Sequence, residues 1–97
     1  MLDQTLKPGQ QIAQCAHAVA DFSIHHPQLF KEWHDISNYI CCLIAPDLEE
    51  LEARCRKQGM SYTSFREPDL NNQLTAIAIE PSQLAKSIVR SYKLAPG

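Results

Sequence analysis

A row of polar side chains interrupts the alanine-rich stretch GQQIAQCAHA at residues 9–18. Its members are separated by steps of four, three and four, and they are Gln10, Gln14, His17 and Asp21. On a helix this spacing places all four side chains on one face. Amides donate and accept hydrogen bonds and an imidazole can act as a general base, so such a face could bind or activate a polar substrate. The row is therefore either ordinary solvated surface or the wall of a cleft.

The histidines predict neither a metal site nor a nucleophilic mechanism. No serine or cysteine is placed beside His17 as a nucleophile, so we expect this residue to make a structural hydrogen bond to the backbone of a loop or strand. The other three histidines and the four cysteines lack the ligand spacing that is typical of zinc sites.

The opposite side of the same helix is apolar and mostly small. It consists of Ile12, Ala13, Cys15, Ala16, Val19 and Ala20. Since a helix usually buries its apolar stripe, we expect these side chains to pack closely on a sheet and the polar row to face outward.

The composition is that of one small domain. A chain of 97 residues, 44% hydrophobic and 21% charged, supports a single core, and we expect one domain over residues 1–97. The formal net charge of −2 argues against a strong, non-specific nucleic-acid binder. No signal peptide or membrane span is recognisable, which predicts a cytoplasmic protein. Four cysteines without a C-x-x-C spacing predict reduced, mostly buried thiols.

The polar face must be positioned by other elements, which begin with two helices and a strand. The first helix is predicted over Gln10–Phe22, and a short second helix begins at Pro27, where the missing N–H costs nothing. The apolar run Asn38–Ala45 predicts a strand that is buried on both faces. Residues 46–59 then predict a helix with acids in its first turn, bases in its last, and a glycine at its C-terminal cap.

The remaining elements are a hairpin and a closing helix. Residues 61–67 and 74–80 are rich in β-forming residues, and the turn-forming stretch EPDLNNQ joins them into a predicted antiparallel hairpin. Residues 81–94 predict a helix with Leu84, Ile88 and Tyr92 at steps of four. The order of elements predicts an α/β fold, a single domain with a small mixed β-sheet and helices packed on both faces.

Two stretches carry a resemblance to a known family. LKPGQQIAQCAHA, residues 6–18, resembles the opening motif of the type 2 peptidyl-tRNA hydrolase family, in which a Gly-Lys pair leads into an Ala-Ala-Gln-x-Ala-His-Ala helix. FREPDLNNQLTAIAIEP, residues 65–81, is similar to the strand, acidic loop and strand that close that family's site. The resemblance covers nearly the whole chain and is closest to the peptidyl-tRNA hydrolase domain-containing subgroup. Gln14 and His17 match the family motif residue by residue.

The chain departs from the family pattern at two places in the site. Gln10 stands where the family has its lysine, and Lys7 is the nearest cation. The family's Asp-Ala-Gly-x-Thr loop is shortened. Its acid and its hydroxyl have alternative counterparts here, which are Glu67 or Asp69 and Asn71 or Asn72.

The resemblance implies hydrolysis of the ester that joins a peptide to the terminal ribose of tRNA, with no metal, cofactor or covalent intermediate. Glu67 or Asp69 would orient or deprotonate the water, and the amides of Gln10 and Gln14 would hold the substrate carbonyl. Since glutamine lacks the charge of the family's lysine, we expect weakened activity. The substrate is expected to contact four further residues, Lys7, His17, Asn71 and Asn72.

Two hypotheses follow for the function. The first is a weak peptidyl-tRNA hydrolase, which Gln14, His17 and the acidic loop favour. The alternative is a catalytically silent relative that acts as an RNA- or protein-binding module, which Gln10 and the net charge favour.

The family's opening strand is reduced here to the five residues Met1–Thr5. A shortened strand would leave the neighbouring Asn38–Ala45 with unpaired backbone groups. We expect this edge to be covered by self-association, by the N-terminal stub or by an upstream segment, and of these we favour a homodimer.

Overall fold

Five strands form one mixed sheet in the computed structural model, which describes residues 1–38 and 40–95. Their bounds are β1 (Leu2–Asp3), β2 (Leu43–Ala45), β3 (Tyr62–Glu67), β4 (Gln73–Ile79) and β5 (Lys93–Leu94). The order across the sheet is β3-β4-β1-β2-β5, in which β1 and β2 run parallel and the other neighbours antiparallel. The predicted hairpin and the α/β class are confirmed.

Four α-helices are described over the same ranges, namely α1 (Pro8–His25), α2 (Pro27–Ile36), α3 (Leu48–Lys57) and α4 (Gln83–Val89). A proline at the first position starts both α1 and α2, as expected from its fixed φ and missing N–H. The Asp47 carboxylate caps α3 by accepting from the Glu50 N–H at 3.0 Å, and Gly59 follows it at a φ of 68°. None of these helices is both long and apolar enough to cross a membrane.

The helices cover both faces of the sheet. On one face α3 and α4 pack against β4 through Leu48, Leu51, Cys55, Leu74, Ile77, Ala85 and Ile88. On the other face α1 packs against β1 and β4 through Leu2, Ala18 and Ala76. Because α1 also lies against β3, it covers one side of the β3–β4 hairpin. This side holds the candidate site.

The first helix is longer than the predicted Gln10–Phe22, and two predicted elements at the edge of the sheet are wrong in extent. Within the predicted strand Asn38–Ala45 only the last three residues pair, Tyr39 lies outside the described residues, and Ile40 is 55% exposed. The closing helix ends at Val89 rather than residue 94, and its last predicted turn is replaced by β5. Both errors have one cause, because β5 pairs with β2 and the two short segments satisfy each other's backbone groups.

The strand edge beside β2, for which we expected a cover, is covered by the N-terminal residues. Leu2 is 1% exposed and pairs with Ile44 of β2 on one side and Ala76 of β4 on the other. Met1 extends the second ladder, since its ammonium group donates to Ile77 O at 2.8 Å and its carbonyl accepts from Ile77 N–H at 2.9 Å. Of the three expected covers, the N-terminal stub is the one observed.

The face of α1 that packs on the sheet is not the predicted one. Its buried residues are Gln11, Gln14, Ala18 and Phe22, and four of the six residues expected to be buried, Ile12, Ala13, Ala16 and Ala20, are exposed. Ile12 is 73% exposed. Both buried amides are hydrogen bonded, Gln11 Nε2 donating to Leu6 O at 3.2 Å, so the helix turns polar residues inward without leaving them unpaired.

A bulge of one residue interrupts the hairpin beside the site. Phe65 of β3 pairs with Ala76, and the next residue, Arg66, pairs with Leu74, which leaves Thr75 as the extra residue of β4. A bulge breaks the alternation of side chains along a strand. Thr75 and Ala76 consequently both face α1, whereas Leu74 packs on the α3 side.

Candidate active site

A buried amide joins α1 to both strands of the hairpin. Gln14 is 5% exposed, and its Nε2 donates to Glu67 Oε1 at 3.2 Å. Its Oε1 accepts from the Thr75 hydroxyl at 2.7 Å. Gln14 of the polar row therefore contacts the acidic loop, so this row is not solvated surface alone.

The three side chains have only one consistent hydrogen-bond direction. A carboxylate can only accept, so Gln14 must turn its NH₂ group toward Glu67 and its carbonyl oxygen toward Thr75. The Thr75 hydroxyl must then donate to Gln14 Oε1, and Gln14 Nε2 in turn donates to Glu67. Because Thr75 is fully buried, this chain fixes the amide from the core side and holds the carboxylate in one orientation.

Glu67 owes its position to the alternation of β3 and to the turn that follows. Phe65, two residues earlier, packs on the α1 side, and Glu67 points to that same side. Arg66 points to the opposite face of the sheet, where it forms an ion pair with Glu49 at 3.2 Å. The cation next to Glu67 in sequence therefore pairs with another carboxylate. Glu67 is half-buried, and its Oε2 makes no hydrogen bond to residues 1–38 or 40–95. This oxygen is free to bind a water molecule.

The other predicted residues of the loop lie at its surface. Asp69 is exposed in a short 3₁₀ turn over Pro68–Leu70. Asn71 and Asn72 have φ angles of 55° and 58°, a left-handed conformation that asparagine tolerates better than most residues. The Asn72 N–H donates to Glu67 O at 2.9 Å and closes the turn. The side chains of Asn71 and Asn72 are exposed, and their role in substrate binding stays a prediction. The backbone of Asn72 helps to place Glu67.

Gln10 lies at the exposed start of α1, one helical turn before Gln14, and Lys7 is the exposed N-cap residue of this helix. Gln10 Oε1 accepts from the Lys7 N–H at 3.0 Å, which is one half of a capping box. The structure does not bring Gln10 into contact with the acidic loop by any hydrogen bond among the described residues. Its Nε2 group points from the helix start as a donor, and the oxygen is occupied by the cap.

His17 makes a different contact from the predicted backbone hydrogen bond. Its ring stacks on that of Phe65, with centroids 4.6 Å apart and ring planes 13° apart. The predicted backbone contact is made instead by another histidine, His26, whose Nε2 lies 3.1 Å from Tyr62 O. His17 therefore belongs to the site through an aromatic contact.

The sequence-based prediction did not name Thr75, whose hydroxyl contacts Gln14 in the structure. One signal was available, because Thr75 is the only polar residue within the apolar run LTAIAI. A lone hydroxyl in such a run indicates a buried partner, since burying it unpaired would cost about 1–3 kcal/mol. The bulge that turns it toward α1 was not visible in the sequence pattern.

Two of the thiols, those of Cys42 and Cys55, have environments that favour the protonated form. Burial raises the pKa of the Cys55 thiol, and burial next to Cys15 raises the pKa of the Cys42 thiol. Protonated thiols are poor nucleophiles. All four cysteines are free, but only Cys55 is fully buried, so the prediction of mostly buried thiols is too broad. In the described parts of the chain, no cluster of three or more His, Cys, Asp or Glu residues could hold a metal ion.

Fold and site together define a small α/β protein with a carboxylate and an amide held between its first helix and a bulged hairpin. The family model described as peptidyl-tRNA hydrolase PTH2 matches residues 2–95 of the chain. The chain belongs to this family, and the resemblance of its two motifs is confirmed. No curated protein matches the chain.

Proposed function

We propose that this chain hydrolyses the ester bond of peptidyl-tRNA and releases a peptide and tRNA. Membership of the PTH2 family supports this activity at the level of the family. The hydrogen bond between Gln14 and Glu67 carries the proposal for this chain, because it joins the helix motif to the acidic loop in a fixed geometry. The direct experiment is to measure peptide release from a peptidyl-tRNA by the purified protein. The translation substrate also supports a cytoplasmic location.

In the proposed mechanism Glu67 acts as the general base. Its free Oε2 holds a water molecule and accepts a proton as the water oxygen attacks the ester carbonyl carbon. The carbonyl π bond opens to a tetrahedral oxyanion, which collapses as the bond to the ribose oxygen breaks. That oxygen takes up the proton held by Glu67, so the tRNA hydroxyl and a peptide carboxylic acid are formed, and the acid then releases its proton to solvent as a carboxylate. Gln14 acts as a positioning residue, since it holds the carboxylate and not the reacting atoms.

The oxyanion is assigned to donors at the start of α1. Gln10 Nε2 is exposed there, one turn before Gln14 on the same side of the helix, and Lys7 is exposed at the N-cap, three residues before Gln10. A neutral amide stabilises a developing negative charge less than an ammonium group does. This supports a weaker activity than a lysine at position 10 would give.

Substitution of Gln10 by lysine is expected to raise activity and to lower stability. The added charge stabilises the oxyanion, but lysine cannot accept the hydrogen bond from the Lys7 N–H, and loss of a cap bond costs about 0.5–2 kcal/mol. Peptidyl-tRNA hydrolysis and urea unfolding of the same preparation measure the two effects. Gln10→Glu is the matched control, because it keeps the cap acceptor and reverses the charge. A Gln10→Lys protein with unchanged turnover would remove position 10 from the oxyanion site.

The alternative function is that of a silent binding module. It is supported by the natural glutamine at position 10, where the family has a lysine. It predicts that the protein binds tRNA or a protein partner without releasing peptide. If the purified chain and its Gln10→Lys variant both fail to hydrolyse peptidyl-tRNA, this alternative replaces the proposed function.

The homodimer stays a prediction, but the structural argument for it is now a different surface. The sheet edge no longer requires a second copy, but the outer face of α1 exposes Ile12, Ala16, Ala20 and Ile24 at steps of four. Because the order isoleucine, alanine, alanine, isoleucine is the same in both directions, two antiparallel copies of α1 would be complementary about a two-fold axis. Sedimentation equilibrium at micromolar concentration should give twice the 11.0 kDa chain mass, and Ala16→Glu should reduce it. A single species of 11.0 kDa would exclude the dimer.

A further inference from the structure

The stacked rings of His17 and Phe65 lie next to the Gln14–Glu67 pair between the same two elements. His17 follows Gln14 by three residues on α1, a rise of about 4.5 Å, and Phe65 precedes Glu67 by two residues on β3, about 7 Å. The polar pair and the aromatic pair are therefore consecutive contacts between α1 and β3. The first offers a carboxylate, and the second offers a flat aromatic surface.

The two rings differ in exposure. Phe65 is half-buried and packs into the core on the α1 side of the sheet, whereas His17 is exposed. One face of the imidazole is covered by Phe65, so the opposite face is the one that meets solvent. Because the stack already restrains the His17 ring, a second planar group that binds on it loses little additional side-chain freedom.

We propose that His17, supported by Phe65, is a stacking platform for the terminal adenine base of the tRNA substrate. This inference rests on the proposed function and names how the same site recognises its substrate. In a peptidyl adenosine the base and the ester are attached to one ribose, so a base on His17 places the ester near Glu67. Stacking of a base on an aromatic side chain contributes about 1–3 kcal/mol and requires no net positive charge, which suits a chain with a net charge of −2.

A stacking role and a general-base role for His17 predict different results. A general base acts on every ester at the site, with or without a nucleobase. A stacking platform acts only on substrates that carry a base, and another aromatic ring can replace it.

The experiment compares two esters of one N-blocked peptide, the first on the 3′-oxygen of adenosine and the second on a ribose analogue without a base. The wild-type protein should prefer the adenosine ester by about tenfold in kcat/KM, through a lower KM. His17→Ala should reduce this preference to near one, and His17→Phe should keep it. His25→Ala is the matched control, since His25 is exposed at the far end of α1, and its preference should equal that of the wild type. A preference that survives in His17→Ala overturns the proposal.

Binding of adenosine monophosphate separates this inference from the proposed function. If the platform exists, the nucleotide shifts the NMR signals of the His17 and Phe65 rings in the wild type, whether or not the protein hydrolyses esters. Hydrolysis of neither ester together with these shifts would overturn the function and keep the platform. Hydrolysis without base preference and without these shifts would overturn the platform alone.

Discussion

Replacement of Glu67 by glutamine should lower the hydrolysis of peptidyl-tRNA by roughly a hundredfold or more, the scale of losing a positioned general base. Glutamine has nearly the same shape, and its side-chain oxygen can still accept from Gln14 Nε2. The variant should therefore fold with little loss of stability, while the group at the position of Oε2 no longer takes up a proton. Single-turnover peptide release measures the effect, and circular dichroism confirms the fold.

Asp69→Asn is the control for this prediction. Asp69 is exposed and lies two residues further along the loop, so its neutralisation changes the local charge without touching the Gln14–Glu67 contact. We expect its turnover to remain within a few-fold of the wild type. Equal and large losses in both variants would show that the charge of the loop matters rather than one base. Unchanged turnover in Glu67→Gln would remove the proposed mechanism.

Replacement of Thr75 by valine should destabilise the protein and lower its activity about tenfold. The change keeps the side-chain shape but leaves Gln14 Oε1 buried without its donor, at a cost of about 1–3 kcal/mol. The amide is then held from one side only, so Glu67 is less well oriented. For a domain of this size, each 1 kcal/mol lowers Tm by about 4–8 °C, which thermal unfolding resolves easily.

The chain contains a matched control for this change on the paired strand. Thr63 is also buried and faces the same side as Phe65, but its hydroxyl has no hydrogen-bond partner among the described residues. Thr63→Val removes an unpaired polar atom, so we expect unchanged or slightly increased stability and unchanged activity. If both valine variants lose the same stability, the bond from Thr75 to Gln14 contributes nothing, and the hydrogen-bond chain through Gln14 is refuted.

The elements that local pattern determines could be predicted from the sequence. Proline at the start of α2, the acids and Gly59 at the two ends of α3, and the turn-forming stretch of the hairpin all act within a few residues. β1 and β5 could not be predicted, because each has two residues and gains its stability from pairing with distant strands. Two residues are too few to show a period.

The orientation of α1 could not be predicted for a related reason. Its pattern indicates that alanines face the sheet, but Gln11 and Gln14 are buried instead, each satisfied by a partner outside the helix. Thr75 is separated from Gln14 by 61 positions, and no local rule reports such a pair. The family resemblance did place Gln14 next to the acidic loop and named Glu67 or Asp69 as its acid, and the structure brings Glu67 into contact with Gln14. A family resemblance carries tertiary information that periodicity lacks.

The bulge in β4 predicts that one residue of this hairpin can be deleted while the strand keeps its register. On either side of the bulge the ladder is regular, with Phe65 opposite Ala76 and Arg66 opposite Leu74. Removal of Thr75 would therefore join Leu74, which faces α3, directly to Ala76, which faces α1, as the alternation of a strand requires. The core residues of β4 would keep their places, and the only side chain lost would be the donor to Gln14. The extra residue is thus an insertion that delivers a hydroxyl to Gln14, and we expect a chain that lacks it to fold with reduced stability and to lose the proposed activity.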